Sequence, residues 1–380
     1  MGGNNFFIMA LNIYEQIIEY IKESKKVVLA LEKKVTADSL GAAIAMSRIL
    51  KYYAKPHQIT VEKNAENFHF LTQYLEITPN FKQARRLVVS LDIADQGLDK
   101  FYYEVDDNKK KLDIYIVPKT GFFNPDDVRV GQGGFEYDLI ITLGASDLFA
   151  LGEVYNGNTA FFHETPVTNI DYKASNEKFG EINLVEPTKS SLSEIVFDLL
   201  ESNFRELMDK PLATALLAGI LERTQSFKVP TLTPQTLEKA SKLMAYGADR
   251  ELVVRELFYN KSLALVKLWG RVLARLKEDK RRNLYWSLLN TQDYNRAGAD
   301  QLIIDQVFEE VLGYLPRDAT ICLFSEYNGG VMVLAYSGNP ARQLKDILAN
   351  YKVTEFELGV KFKVWNKDLL EVEKEVIELF

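Results

Sequence analysis

Side chains that could bind a metal, move a proton or attack phosphorus are unevenly supplied in this chain. It has three histidines, His57, His69 and His163, and no pair has the H-x-x-x-H or similar spacing that turns two imidazoles toward one ion. Its one cysteine, Cys322, excludes both an internal disulfide and a site built from several thiolates. Acids are better placed. Asp38 opens ADSLGAAIAMSRILKYY, LDIAD carries Asp92 and Asp95, YDLIITLGASD ends on Asp147, and TNID ends on Asp171. Asp171 is followed at once by Tyr172 and Lys173. Two dications held close together need several anionic oxygens plus imidazoles, and one aspartate beside a lysine suits that chemistry poorly. GQGG, Gly131 to Gly134, has no strand feeding it and no clear helix after it, so it reads as a flexible turn rather than a phosphate loop.

These residues need elements to hold them. VVLAL, Val27 to Leu31, reads as a buried strand, and the small-residue stretch opened by Asp38 reads as the helix after it, which is the start of a βα unit. RRLVVSLDIAD and YDLIITLGASD read as further strands ending in polar loops, where open α/β sheets place ligands. Between them FYYEV and KLDIYIV predict an antiparallel hairpin inserted on the main sheet, over about residues 96–134. Helices follow over Ser190 to Glu206, PLATALLAGIL and TLTPQTLEKASKLMAYGAD, and a charged helical stretch from Arg250 to Asp279. The rest alternates strand and helix, with ARQLKDILANY among the helices.

A length of 380 residues, 47% of them hydrophobic, suits two domains. The reading is α/β: a parallel-sheet domain over 1–230, a helical linker over 231–264 and a smaller α/β domain over 265–380. A net charge of −7 argues against long nucleic acid as a partner. The basic runs Lys109-Lys110-Lys111 and Lys280-Arg281-Arg282 are flanked by acids and read as solvated turns. MGGNNFFIMALNIYEQ lacks both the length of a membrane span and the basic leader of a signal peptide, and Phe6 stands where N-myristoylation at Gly2 would want Ser or Thr. No membrane association is expected, and the single cysteine suits the cytoplasm.

Two stretches go beyond propensity. NIDYKASNEKFGEINLVEPTKSSLSEIVFDLL and ATALLAGILERTQSFKVPTLTPQTLEKASKLMAYGAD resemble, in this order, the DHH phosphoesterase family, in particular its oligoribonuclease and pAp-phosphatase-like members. VVLALEKKVTADSLGAA looks like the family's first motif and YDLIITLGASDLFALG like its second. The resemblance implies a parallel-sheet DHH-type domain and a smaller substrate-binding domain. It also implies two divalent ions, commonly manganese, held by aspartates and histidines of four motifs. Carried across position by position, the first histidine falls on Glu32, the first aspartate on Thr36, and the second aspartate is retained as Asp38. The second-motif aspartate falls on Gly144, with Asp147 read as a solvated loop residue and Asp92 as a loop or cap. In the third motif Asp171 is retained, while two histidines become Tyr172 and Lys173. The fourth-motif aspartate falls on Arg223. In the second domain Tyr336 takes the place of the expected phosphate-gripping arginine, no GGGH-like element follows, and Arg342 reads as a surface helix residue.

The retained acids Asp38 and Asp171, set among cations, imply no metal cofactor, with manganese bound only if the site is active. Lys173 and Arg223 either pair with Asp38, Asp171 or Glu32, the favoured reading, or replace the ions as an anion-binding pocket. The leading expectation for function is a catalytically degenerate family member acting as an interaction or scaffold protein, as a homodimer or with a protein partner. The alternatives are a metal-independent binder of a short phosphorylated ligand or nucleotide, and a residual manganese-dependent phosphodiesterase for short oligonucleotides or pAp, using Asp38, Asp171 and Glu32. Aromatic residues of the hairpin, Phe101, Tyr102, Tyr103 and Tyr115, are expected in packing; stacking of nucleobases or a protein contact are the other uses.

Overall fold

The computed structural model describes residues 11–63, 68–79, 81–106, 110–229, 232–356 and 358–380. Gly2 and Phe6, and Lys109 of the first basic run, lie outside the described residues. The chain divides into two units, 1–259 and 260–380.

Among the described residues the first helix of the first unit is α1 (Ile13–Glu23), capped reciprocally by Asn12 and Glu15. Then come strand β1 (Val27–Leu31), helix α2 (Ala37–Tyr52), β2 (His57–Val61) and β3 (Ile77–Pro79). Four strands form the insert, β4 (Leu87–Leu91), β5 (Leu98–Val105), β6 (Leu112–Pro118) and β7 (Val128–Gln132), before the chain returns in β8 (Leu139–Leu143), β9 (Val167–Asp171) and β10 (Ile182–Val185). Helices α3 (Leu192–Asn203), α4 (Lys210–Arg223) and α5 (Pro234–Ala245) complete it.

The main sheet has the order β10-β9-β8-β1-β2-β3 and is parallel throughout. Its centre is buried on both faces, which is why β1 is an unbroken apolar run rather than an alternation. Val27, Leu29 and Leu31 face a core shared with α2, α3 and α4, while Val28 and Ala30 face a second core with Phe161 and Phe162. Helices α2 and α4 cross closely because Gly41 and Gly219 lie at the contact. A Cβ on Gly41 would come 2.6 Å from the Ala215 carbonyl oxygen, and one on Gly219 would come 2.6 Å from Asp38 Oδ1. Ala240 and Leu243 of α5, and Val253 of the short helix Arg250–Val254, fall in the stretch expected to link the domains and are buried in this same core.

The insert differs from expectation. RRLVVSLDIAD supplies no strand to the main sheet: β4 pairs with β7 and β5 with β6, as two separate two-stranded antiparallel sheets. Gly131 and Gln132, expected in a turn, belong to β7, because Val88 and Leu87 lie opposite them and Gly133 N–H bonds to the Arg86 carbonyl at 2.7 Å.

The second unit is a mixed sheet, β11 (Lys277–Asp279), β12 (Leu284–Leu289), β13 (Thr320–Tyr327), β14 (Gly330–Ser337), β15 (Thr354–Phe356) and β16 (Gly359–Trp365), in the order β11-β12-β13-β14-β16-β15. Helices α6 (Leu263–Ala274), α7 (Thr291–Ala297) and α8 (Ile304–Leu312) cover one face, and α9 (Leu369–Glu378) covers the other. The stretch from Arg250 to Asp279 is not one helix: Ser262 caps a new start for α6, and Lys277 to Asp279 pair as a strand. ARQLKDILANY shortens to one turn, Leu344–Ile347. Arg342 precedes it, half-buried, and donates to Thr320 Oγ1 and the Arg282 carbonyl at 3.0 and 2.5 Å, so it is tied into the unit rather than free on a helix surface. Among the described residues no helix is long and apolar enough to cross a membrane.

Candidate functional site

In the main sheet β1 has β2 on one side and β8 on the other, so the strand order reverses beside it. Such a switch point opens a crevice at the carboxyl ends of the strands. Glu32 follows β1 there, Gly144 follows β8, and Asp171 ends β9.

Lys173 occupies this crevice. Its Nζ lies 2.6 Å from Glu32 Oε2 and 2.6 Å from the Gly144 carbonyl oxygen. The two side chains are 28% and 17% exposed, so the pair is largely withdrawn from water. Burial raises the Glu32 carboxyl above its ordinary range, and Lys173 pulls it back. Gly144 has φ of +77°, and a Cβ there would stand 2.9 Å from Leu192 Cδ1. The position is therefore held to glycine both by backbone conformation and by space.

Asp38 is fully buried and serves another helix. Its Oδ2 accepts Leu192 N–H at 2.9 Å and its Oδ1 accepts Ser193 N–H at 2.8 Å, which places a carboxylate on the first turn of α3. Burial nevertheless raises its pKa, with these bonds opposing. Thr36 is the N-cap of α2: its Oγ1 accepts Ser39 N–H, and Ser39 Oγ accepts Thr36 N–H, both at 3.0 Å. Glu222, in the last turn of α4, accepts Asp38 N–H at 3.0 Å, and burial pushes its carboxyl up to about 7. Asp171, also buried, accepts Tyr172 N–H and Asn176 Nδ2, each at 2.8 Å. Asn176 in turn bonds to Asn169, whose Oδ1 takes the Thr142 hydroxyl.

Arg223 behaves differently from Lys173. It is exposed, its guanidinium carbon lies 5.0 Å from the centre of the Tyr172 ring, and it makes no hydrogen bond or ion pair with a described residue. The favoured reading, that both cations pair with Asp38, Asp171 or Glu32, thus describes Lys173, through Glu32, whereas Arg223 makes no ion pair with these acids and only lowers the pKa of Glu32 and Asp38 through space. Burial raises the Tyr172 hydroxyl, with Arg223 opposing.

The other candidates lie in ordinary places. Asp147 caps the turn Leu148–Leu151, and Asp92 accepts Ala94 N–H in a loop. His57 bonds to Ser47, His163 to Tyr155, and His69 opens a short helix. Tyr336 packs against a core of the second unit. Among the described residues no three His, Cys, Asp or Glu side chains gather where they could hold a metal ion. Sequence reasoning missed Glu222 and Asn176. Glu222 was visible only as the neighbour of Arg223, and the partners of Asn176 are set by chain return that spacing does not encode.

A family model described as the DHH family, N-terminal domain, matches residues 26–220. The chain belongs to the DHH family. Over 109 residues this DHH-family chain is 35% identical to the bifunctional oligoribonuclease and PAP phosphatase NrnA of Thermus thermophilus, which covers 28% of this chain and 33% of that protein. It is 27% identical over 361 residues to the cyclic-di-AMP phosphodiesterase GdpP of Geobacillus thermodenitrificans, 93% of this chain and 45% of that one. The chain thus spans between a third and a half of the length of these curated relatives. Its fold is that of an exopolyphosphatase-related protein from Bacteroides fragilis, with a TM-score of 0.67 at 14% identity over 96% of this chain and 94% of that one. The DHH-type parallel sheet and separate smaller α/β domain expected from the sequence are the fold found.

Proposed function

We propose that this DHH-family chain is a non-catalytic member, acting in the cytoplasm by holding a protein partner or a second copy of itself without a metal centre. The observation that carries the reading is Lys173, whose ammonium is fixed between Glu32 and the Gly144 carbonyl at the switch point. The donor set does not fit the two dications that the family resemblance implies. Each oxygen of Asp38 already accepts an N–H of α3, and those of Asp171 accept Tyr172 N–H and Asn176 Nδ2, so an ion would have to share every one of them, while Glu32 already neutralises a lysine. A dication beside that ammonium would be repelled, with few oxygens left to offset the loss of its water shell.

Arg223 favours a second reading. An exposed guanidinium with no hydrogen-bonding partner among the described residues, held over Tyr172, can grip a phosphate with two parallel donors. On that reading the chain binds a short phosphorylated ligand or nucleotide without cleaving it. One experiment separates the readings: the full chain is incubated with manganese and short oligoribonucleotides, pAp or cyclic di-AMP, and titrated calorimetrically with the same compounds. The expected result is neither turnover nor tight manganese binding. Turnover abolished by Asp171→Ala would overturn the proposal. Binding without turnover, weakened about tenfold or more by Arg223→Ala, selects the second reading.

A further inference from the structure

The insert is built like a surface waiting for a cover. Its strands run in nested order, β4 opposite β7 and β5 opposite β6, so Leu87 to Gln132 forms a two-stranded arm interrupted at 92–97 and 119–127. Its base is anchored by flanking rings: Phe81 and Phe135 pack on Phe161 at 5.8 and 5.1 Å, in the core behind the main sheet. None of the strand residues of the arm belongs to a core cluster. A two-stranded ribbon without a third strand or a covering layer is marginal in water.

Strand register sorts each ribbon into two unlike faces. Opposed residues of an antiparallel pair share a face and the next pair lies on the other. Phe101 with Ile116, Tyr103 with Ile114, and Val105 with Leu112 therefore make one face of the outer ribbon, free of charge and apolar but for the Tyr103 hydroxyl. Lys100 with Val117, Tyr102 with Tyr115, and Glu104 with Asp113 make the other. In the inner ribbon the same sorting puts Val89 with Val130 and Leu91 with Val128 on one face, and leaves Arg129, opposite Ser90, on the other. The apolar residues are open to solvent: Phe101 is 61% exposed, Tyr103 64% and Val130 64%. The sequence expectation that the aromatic residues of the hairpin serve core or sheet-face packing is met on the sheet face by Tyr102 and Tyr115, which stack on each other across the polar face at 4.9 Å while staying 47% and 40% exposed.

We propose that the uncharged faces of the arm's two ribbons dock on a second copy of the chain. Area supports the choice. Taking about 200 Å² for an aromatic side chain and about 100 Å² for an aliphatic one, the exposed apolar groups of the two ribbon faces offer on the order of 600 Å². A standard interface takes about 800 Å² from each partner, about 65% of it apolar in homodimers. The charge pattern supports it as well. A two-fold axis brings identical faces together, and faces free of charge meet without like-charge repulsion, although each chain carries a net −7. The inference specifies the interaction half of the function proposed above; it does not depend on the loss of hydrolysis, which the manganese assay tests separately.

The test is the solution mass of the full chain by light scattering and sedimentation over a range of concentrations. A dimer is expected at micromolar concentration. The pair Tyr103→Lys with Val130→Lys should weaken association by about 100-fold or more, while Lys100→Glu on the polar face leaves it unchanged. Amide exchange of the unaltered chain, above and below the association midpoint, should show added protection in β5 and β6. That measurement keeps the inference open to refutation even if the paired variant misfolds. A monomer up to about 100 μM, a dimer indifferent to the face substituted, or unchanged exchange in the arm would each overturn the assignment. So would a monomer that instead sediments with lipid vesicles.

Discussion

Substituting Glu222 by glutamine isolates a carboxyl that burial has shifted well toward neutrality. Its folded-state value of about 7 stands against an ordinary 4.5. A raised carboxyl favours the protonated folded form, so the stability it contributes is fully present below its unfolded value and is lost as pH rises through the folded one. Linkage puts that loss at about 0.2 kcal/mol at about pH 4, about 2 at about pH 6 and about 3 at about pH 8. Glutamine keeps an oxygen to accept Asp38 N–H at the start of α2 and removes the charge. The two proteins should therefore unfold alike in acid and diverge as pH rises, with Glu222→Gln melting several degrees higher at about pH 8. Glu32 and Asp38 are raised by burial as well, so each adds to the loss of stability as pH rises. The assay is urea unfolding of both proteins at each pH. A difference that stays constant across the range, or one that grows toward acid, would refute the argument that burial raises the Glu222 carboxyl.

Lys173→Met should cost about 1–3 kcal/mol by leaving Glu32 unpaired in a half-buried site. Adding Glu32→Gln should recover most of that loss, and a double-mutant cycle by chemical denaturation reads the coupling. Gly219→Ala should lose at least about 2 kcal/mol, because the new methyl would meet Ser193 Oγ and Asp38 Oδ1 where α4 packs on α2 and α3. A melting temperature unchanged by that substitution would contradict the close helix contact.

Much of the central sheet was legible in the sequence because its strands have one local signature. VVLAL and LIITL are continuous apolar runs, and both are buried from end to end. The arm misled for a related reason: LVVSL has the same composition, and only the pairing with VRVGQ, nearly forty residues on, removes it from the main sheet. The site was partly legible. Frame residues around Asp171 pointed to the crevice, and a lysine there invited a carboxylate partner, which is Glu32. That Asp38 would spend its oxygens on α3 could not be read from the sequence, since the contact joins residues 154 apart. Nor could the conformation of Gly144, which depends on where β9 and Leu192 come to rest.

On the proposed reading, those two hidden features decide what it would cost to build a metal centre here. If the difference lay only in side-chain identity, returning each position to the family's ligand would be nearly free in stability and would restore ion binding in steps. The geometry argues otherwise, and unequally. Thr36→Asp should change stability by less than about 0.5 kcal/mol, since aspartate caps a helix as well as threonine does. Gly144→Asp must place a Cβ at φ of +77° against Leu192 Cδ1 and displaces the carbonyl that holds Lys173, at a cost of about 2 kcal/mol or more. The pair together should unfold at lower urea than the unaltered chain and should bind manganese no more tightly, because Lys173 still faces Glu32 and Asp38 still caps α3. Denaturation midpoints and calorimetric titration with manganese check both halves. A Gly144→Asp protein as stable as the parent, or a tight ion in the double variant, would mean that the backbone here still accommodates a metal centre and that Lys173 is an incidental occupant.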